Sequence, residues 1–266
     1  MPDTAPVTRD KIGHGLRQLG LRPGDNLLVH SSLKSFGRVD GGADTVIDGI
    51  LDVLGGRGTL LAPTLTGGPE YGPDNPPHID LRTASCWTGA LPETLRQRPA
   101  AIRSTHPTHS VAALGAHADT LTLDHHLSPT PCSYTSPYQR LLRAGGKIAF
   151  FGCGLCVCTT FHAIESIACV EYHLQKAITY ASCIDQHSNR IETPCRLHDY
   201  HSPEREFPVM QPILIKKGAM RVGTIGKATV RMVDTTALLD ITLDALRFDP
   251  WYLTVNRGRR DIMPWR

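Results

Sequence analysis

Residues 147 to 154 read KIAFFGCG, a run with no polar position between its lysine and its first glycine. A strand of this kind has no face that it can show to water, so helices must cover it on both sides. Two further runs share the property: NLLVHSS at 26–32, after a Pro-Gly-Asp turn, and GTLLAPT at 58–64. Between and after them the period lengthens to that of a helix. Val46, Ile47, Ile50, Leu51 and Leu54 form one apolar stripe, ended by two glycines, and Phe161, Ile164, Ile167 and Ala168 form another. Apolar strands alternating with amphipathic helices predict an α/β protein with a mostly parallel sheet.

The remaining segments fit this frame. Thr8 is placed to cap a helix that carries Ile12, Leu16 and Leu19 and closes at Gly20, and residues 89–99 form a helix stopped by proline. SVAALG follows at 110–115, and Ser136 with Pro137 marks the start of a short helix to about residue 145. Residues 213–246 read as alternating strands with glycine turns and a final helix, an antiparallel addition to the sheet. The stretch 67–82 holds three glycines and four prolines and reads as a long loop.

A chain of 266 residues suits one domain spanning 1–266. Its 28 basic and 25 acidic residues leave a net charge of +3 with no long run of either sign, which argues against a nucleic-acid partner. No apolar stretch reaches the length of a membrane span, and the first twenty residues contain no apolar core of an export signal. A cytoplasmic location is therefore expected, with Cys86, Cys132, Cys153, Cys156, Cys158, Cys169, Cys183 and Cys195 as reduced thiols.

In an open α/β sheet ligands bind where strands end. Four segments stand at such positions. HSSLKSFG at 30–37 offers Ser31, Ser32, Lys34 and Ser35 with backbone amides, a set able to hold phosphate oxygens or simply to cap a helix. IRSTHPTHSVAALG at 102–115 crowds Arg103, Ser104, His106, Thr108, His109 and Ser110 together, and an Arg followed by hydroxyls suits phosphate or carboxylate. Residues 130–141 need be no more than a capped turn. The fourth, GCGLCVCTTFHAIESIA at 152–168, puts His162 and Glu165 three apart on one helical face. A carboxylate beside an imidazole fixes its tautomer and raises its basicity, as a base for an attacking amine requires. Thr159 and Thr160, just ahead, are placed to donate to a developing oxyanion. An ordinary surface His–Glu pair is the structural alternative.

Taken together, VHSSLKSFGRVDGGADTVIDGILDVLGGRGTLLAPT, RSTHPTHSVAALG and PCSYTSPYQRLLRAGGKIAFFGCG followed by TTFHAIE resemble the aminoglycoside 3-N-acetyltransferase family in order and spacing. The likeness runs from about residue 10 to about residue 170 and continues more weakly through RLHDYHSPEREFPVMQPIL. It implies a three-layer α/β/α fold and transfer of acetyl from acetyl-CoA, as co-substrate, to the 3-amino group of a 2-deoxystreptamine ring. By the same resemblance Ser31, Ser32, Lys34, Ser35, Phe36, Gly37, Thr64, Arg103, Ser104 and Ser110 line the CoA site. His162, Glu165 and Thr160 carry catalysis, and His109 and Asp199 meet the amine. No metal is implied; the partners are a small-molecule amine and CoA, with a homodimer as the assembly left open.

One departure bears on the acceptor. Leu155-Cys156-Val157-Cys158 stands where the family tends to carry Asn or Asp before the Thr-Thr pair. Two alternatives stay open at this point: an acetyltransferase for another amine in a biosynthetic pathway, and a metal or thiol protein built on Cys153, Cys156 and Cys158.

Overall fold

The structure is a computed structural model, described here for residues 5–170, 172–200 and 203–258. Ten strands occur in chain order: β1 (Asn26–Ser31), β2 (Thr59–Pro63), β3 (His78–Asp80), β4 (Ile102–Arg103), β5 (Val111–Gly115), β6 (Lys147–Phe151), β7 (Thr179–Ile184), β8 (Arg190–Cys195), β9 (Met220–Ile225) and β10 (Ala228–Asp234). The helices are α1 (Arg9–Gln18), α2 (Gly42–Leu54), α3 (Ala90–Arg96), α4 (Ala118–Thr122), α5 (Pro137–Arg143), α6 (Thr160–Ile167), α7 (Met210–Lys216) and α8 (Thr235–Phe248).

Seven strands form one sheet in the order β4-β5-β2-β1-β6-β10-β9. The three apolar runs singled out above lie side by side at its centre, β2, β1 and β6, mutually parallel. Their side chains alternate between two cores. Leu27, Val29, Ala149 and Phe151 face α1, α2 and α3 through Ile12, Leu16, Ile47, Ile50 and Leu91. Leu28, Ile148 and Phe150 face the opposite layer through Tyr138, Phe161, Ile164, Leu214 and Leu238. Complete burial of both faces is what a run without polar positions demanded.

The layered α/β/α architecture and the antiparallel C-terminal addition, β10 and β9, are as expected. The parallel part is narrower than a mostly parallel sheet, because β5 and β4 extend the other edge antiparallel to β2. A second sheet, β3-β7-β8, was not foreseen; it pairs three residues of the Gly/Pro-rich loop with β7, about a hundred positions later. Residues 213–216, expected as part of a strand, close helix α7: Pro212 sits in its first turn, where its missing N–H costs nothing, and Gly218 follows at φ +69. The expected caps hold, with Thr8 accepting from the Lys11 amide and Ser136 from that of Gln139, ahead of Pro137.

Candidate active site

The carboxyl ends of β1, β2 and β6 open into a cavity of about 610 Å³. Ser31 from the end of β1, Thr88 and Trp87 from the loop before α3, Cys153 and Thr159 after β6, and His162 from α6 form its wall. His109, His198, Asp199, Tyr200, Glu204 and Arg205 complete it from two other loops.

His162 and Glu165 are joined as their spacing predicted. Nδ1 of His162 and Oε2 of Glu165 lie 2.6 Å apart, with the carboxylate fully buried behind the ring. Burial alone would raise the Glu165 pKa, but His162, His173 and Arg205 outweigh it and hold the carboxyl below its usual range. An ionised Glu165 accepts Nδ1–H and leaves Nε2 of His162 as the lone-pair nitrogen. A surface pair would not have its carboxylate sealed from water, so the structural alternative does not describe this geometry.

The other expected residues divide into three groups. Ser31, His109 and Asp199 reach the cavity wall, and the Ser31 hydroxyl is buried with no protein partner among the described residues. Thr160 does not line the cavity; it is fully buried, and Thr159, one position earlier, reaches the wall in its place. The loop of Ser32, Lys34, Ser35, Phe36 and Gly37 forms a 3-10 turn at the end of β1, beside the cavity rather than within its wall. Its place is fixed by Phe36 packing on Phe151 and by Gly152 at φ +64, where a Cβ would overlap the Ser35 side chain.

Thr64, Arg103, Ser104 and Ser110 are brought together, but they face one another. Arg103 donates to the carbonyls of Leu81 (2.9 Å), Ala84 (2.7 Å) and Thr64 (3.1 Å) and to Ser110 Oγ (3.0 Å). Ser110 Oγ donates to the Thr64 carbonyl, and Ser104 Oγ accepts from the Val111 amide while pairing with His125. Burial lowers Arg103 to about 10, which still leaves it charged at neutral pH. Four protein hydrogen bonds make this guanidinium a clamp between loops, with little left for a phosphate.

Sequence reading missed His173 and His198, which join His162 and the expected His109 here from separate segments. The His162 and His198 rings are 4.3 Å apart, and His198 Nδ1 is 3.0 Å from His109 Nε2. His173 lies 5.6 Å from His198. Arg205 was also missed; its Nε and one terminal nitrogen are buried without partners among the described residues. Nothing local marks these positions, because each is polar in a polar loop.

The cysteine alternative loses its footing here. Among the described residues the one group with metal-ligand spacing is His109, Cys132 and His198; Cys153, Cys156 and Cys158 do not assemble with His162. Burial pushes the Cys153 thiol up to about 11 and that of Cys158 up to about 12. Both therefore stay protonated at neutral pH, which leaves them poor nucleophiles for disulfide exchange.

An imidazole backed by a sealed carboxylate, at the open end of a layered α/β sheet, is an arrangement able to take a proton from a nucleophile held in the cavity. Comparison with known proteins makes this specific. Residues 28–247 match the family described as aminoglycoside 3-N-acetyltransferase. Aminoglycoside N(3)-acetyltransferase VII of Streptomyces paromomycinus is 34% identical over 263 residues, covering 88% of this chain and 90% of the relative. The crystal structure of aminoglycoside acetyltransferase AAC(3)-Xa superposes with a TM-score of 0.80 at 32% identity, over 94% of this chain and 95% of that one. That of AAC-IIIb in binary complex with CoASH gives 0.77 at 26% identity, over 92% and 97%. The chain belongs to the aminoglycoside 3-N-acetyltransferase family and is an acyltransferase.

Proposed function

We propose that this enzyme transfers acetyl from acetyl-CoA directly to the 3-amino group of a 2-deoxystreptamine aminoglycoside, with His162 as general base and Glu165 as its orienting partner. The observation that carries the reading is the 2.6 Å contact between His162 Nδ1 and the buried Glu165 carboxylate at the cavity wall. His162 Nε2 removes a proton from the amine as nitrogen attacks the thioester carbon. The C–S bond then breaks with its electron pair on the CoA sulfur, and the imidazolium returns the proton to that sulfur. Ser31 and Thr159 are the hydroxyls on the wall able to donate to the thioester oxygen as it gains charge. No acyl-enzyme is needed, because holding both substrates in one cavity supplies the proximity.

Asp199 and Glu204 are the carboxylates on the wall, and they favour a polycationic acceptor. The loop from Ser32 to Gly37 at the end of β1, beside the cavity, is where we place the phosphates of CoA. Arg103, Thr64, Ser104 and Ser110 support that end of the site by bracing its loops. Two apolar cores on opposite faces of one sheet support a single domain. Among the described residues no helix is long and apolar enough to cross a membrane, and we place the enzyme in the cytoplasm.

The test is release of CoA thiol from acetyl-CoA with a panel of amines. Turnover confined to 2-deoxystreptamine compounds supports the reading. Turnover confined to unrelated amines would replace the acceptor while keeping the chemistry.

A further inference from the structure

His162 is not alone at the reacting end of the cavity. The His198 ring lies 4.3 Å from it, inclined at 42°, and both side chains line the same wall. His198 is 4% exposed, and its Nε2 is buried with no hydrogen-bond partner among the described residues. A buried ring nitrogen without a partner costs stability, so a group that completes it on binding regains that cost.

The polarity of this nitrogen follows from its neighbours. His109 Nδ1 is 2.9 Å from Thr108 Oγ1, and His109 Nε2 is 3.0 Å from His198 Nδ1. Two chains of donors satisfy these contacts. They end either in a lone pair or in an N–H at His198 Nε2. His106 Nδ1 accepts from the Thr108 and His109 amides and so carries a lone pair; the Thr108 hydroxyl, 3.4 Å away, donates to it and is left to accept from His109 Nδ1–H, which selects the chain that ends in a lone pair. In that arrangement His109 Nδ1–H donates to Thr108, His198 Nδ1–H donates to His109, and His198 Nε2 is an acceptor. Burial also lowers the His198 pKa well below the ordinary imidazole value, with His162, His109 and His173 adding to the effect, so the ring stays neutral.

A neutral primary amine has two N–H bonds besides its lone pair. When nitrogen attacks the thioester, one proton goes to His162 Nε2 and then to the departing CoA sulfur. The other stays in the amide product. We propose that His198 accepts a hydrogen bond from this retained N–H, which fixes the direction of the amine lone pair and makes the site selective for primary amines. His198 is in this sense a second catalytic residue, and His109 is the positioning residue that holds its tautomer. The inference rests on the acetyltransferase reading above and adds a requirement to it: an acceptor nitrogen bearing a methyl group has one N–H too few.

The experiment compares the wild-type enzyme with His198→Phe and His198→Gln, using neamine and its 3-N-methyl derivative as acceptors. Phe keeps a ring but has no acceptor, whereas Gln restores one. Wild type should prefer the primary amine by about tenfold to a hundredfold in kcat/KM, the worth of one positioned hydrogen bond. His198→Phe should lose about that factor on neamine, mostly in kcat. It should lose less than about threefold on the N-methyl amine, with the dissociation constant for CoA unchanged. His198→Gln should recover part of the loss. Where Phe does not yield folded protein, the wild-type preference and the Gln variant carry the test. Equal wild-type rates on the two amines, or equal losses on both in a folded variant, overturn the role of His198 and leave the acetyltransferase reading intact. No acetylation of neamine or of any other amine in the panel by folded wild type removes both.

Discussion

Acidification should unfold this protein earlier than its carboxylates alone would dictate, because six imidazoles are buried among the described residues. His30, His106, His109, His125, His173 and His198 are each less than a tenth exposed. Burial pushes His30 and His125 to about 3 and His173 to about 4. His106, His109 and His198 are held well below their ordinary value by the same cause. In the unfolded chain these rings titrate near about 6.5. Below that pH the unfolded state binds protons that the folded state refuses, so stability is complete above about 6.5 and falls as the pH drops toward the folded values. Each ring can contribute a slope of about 1.4 kcal/mol per pH unit, and six rings set a ceiling of about 8 kcal/mol per unit. A typical domain has about 5 to 15 kcal/mol in total, so a third of that ceiling unfolds the protein within a few pH units. The acids shifted by ion pairs do not compete in this window. Glu93 is held at about 2 by Arg96, and Glu165 also lies below its usual range, so their loss begins at lower pH. Urea unfolding followed by circular dichroism between about pH 7.5 and 5 measures the slope. His125→Gln should flatten it, since His125 bonds Ser104 at 2.9 Å and the Pro131 carbonyl at 2.9 Å and stays neutral only when folded. A stability constant to within about 1 kcal/mol from pH 7 to 5 would refute the reasoning.

Three further outcomes follow from the site. His162→Ala should lower kcat by about a hundredfold to ten-thousandfold with CoA binding unchanged; steady-state kinetics within about threefold of wild type would remove the base from the mechanism. Glu165→Gln should lower kcat by less than His162→Ala does, because the amide can still orient the ring through Nδ1–H without its charge; a kcat within about threefold of wild type would make Glu165 structural. Arg103→Ala should cost about 3 to 5 kcal/mol of stability by unpairing the carbonyls of Leu81 and Ala84, with CoA affinity changed less than about threefold. Calorimetry showing the reverse, weak CoA binding in a stable protein, would restore Arg103 to the phosphate site.

The parts of this account that were legible in the sequence are those with a local signature. The runs at 26–32, 58–64 and 147–154 announced doubly buried strands, and their place at the centre of the sheet follows from having no polar side to expose. The spacing of His162 and Glu165 sufficed because three positions on a helix are adjacent in space. Arg103 shows the limit of such reasoning. An Arg beside hydroxyls suits a phosphate, and it equally suits three carbonyls of two loops; only the tertiary arrangement decides between them. The second sheet joins His78–Asp80 to Thr179–Ile184, and a pairing across that distance leaves no mark in either segment. The histidines at 173 and 198 join His109 and His162 for the same reason, without a motif of their own.

The central claim is direct acetyl transfer to one defined nitrogen, and product analysis tests it without any substitution. Purified enzyme is supplied with acetyl-CoA and neamine, CoA thiol is counted by a chromogenic disulfide, and the product is located by two-dimensional NMR. The account predicts one thiol released per amide formed, with the acetyl group on the 3-amino nitrogen. Thiol release without amide, an acetyl group on another nitrogen, or no turnover in folded protein that binds CoA would contradict it.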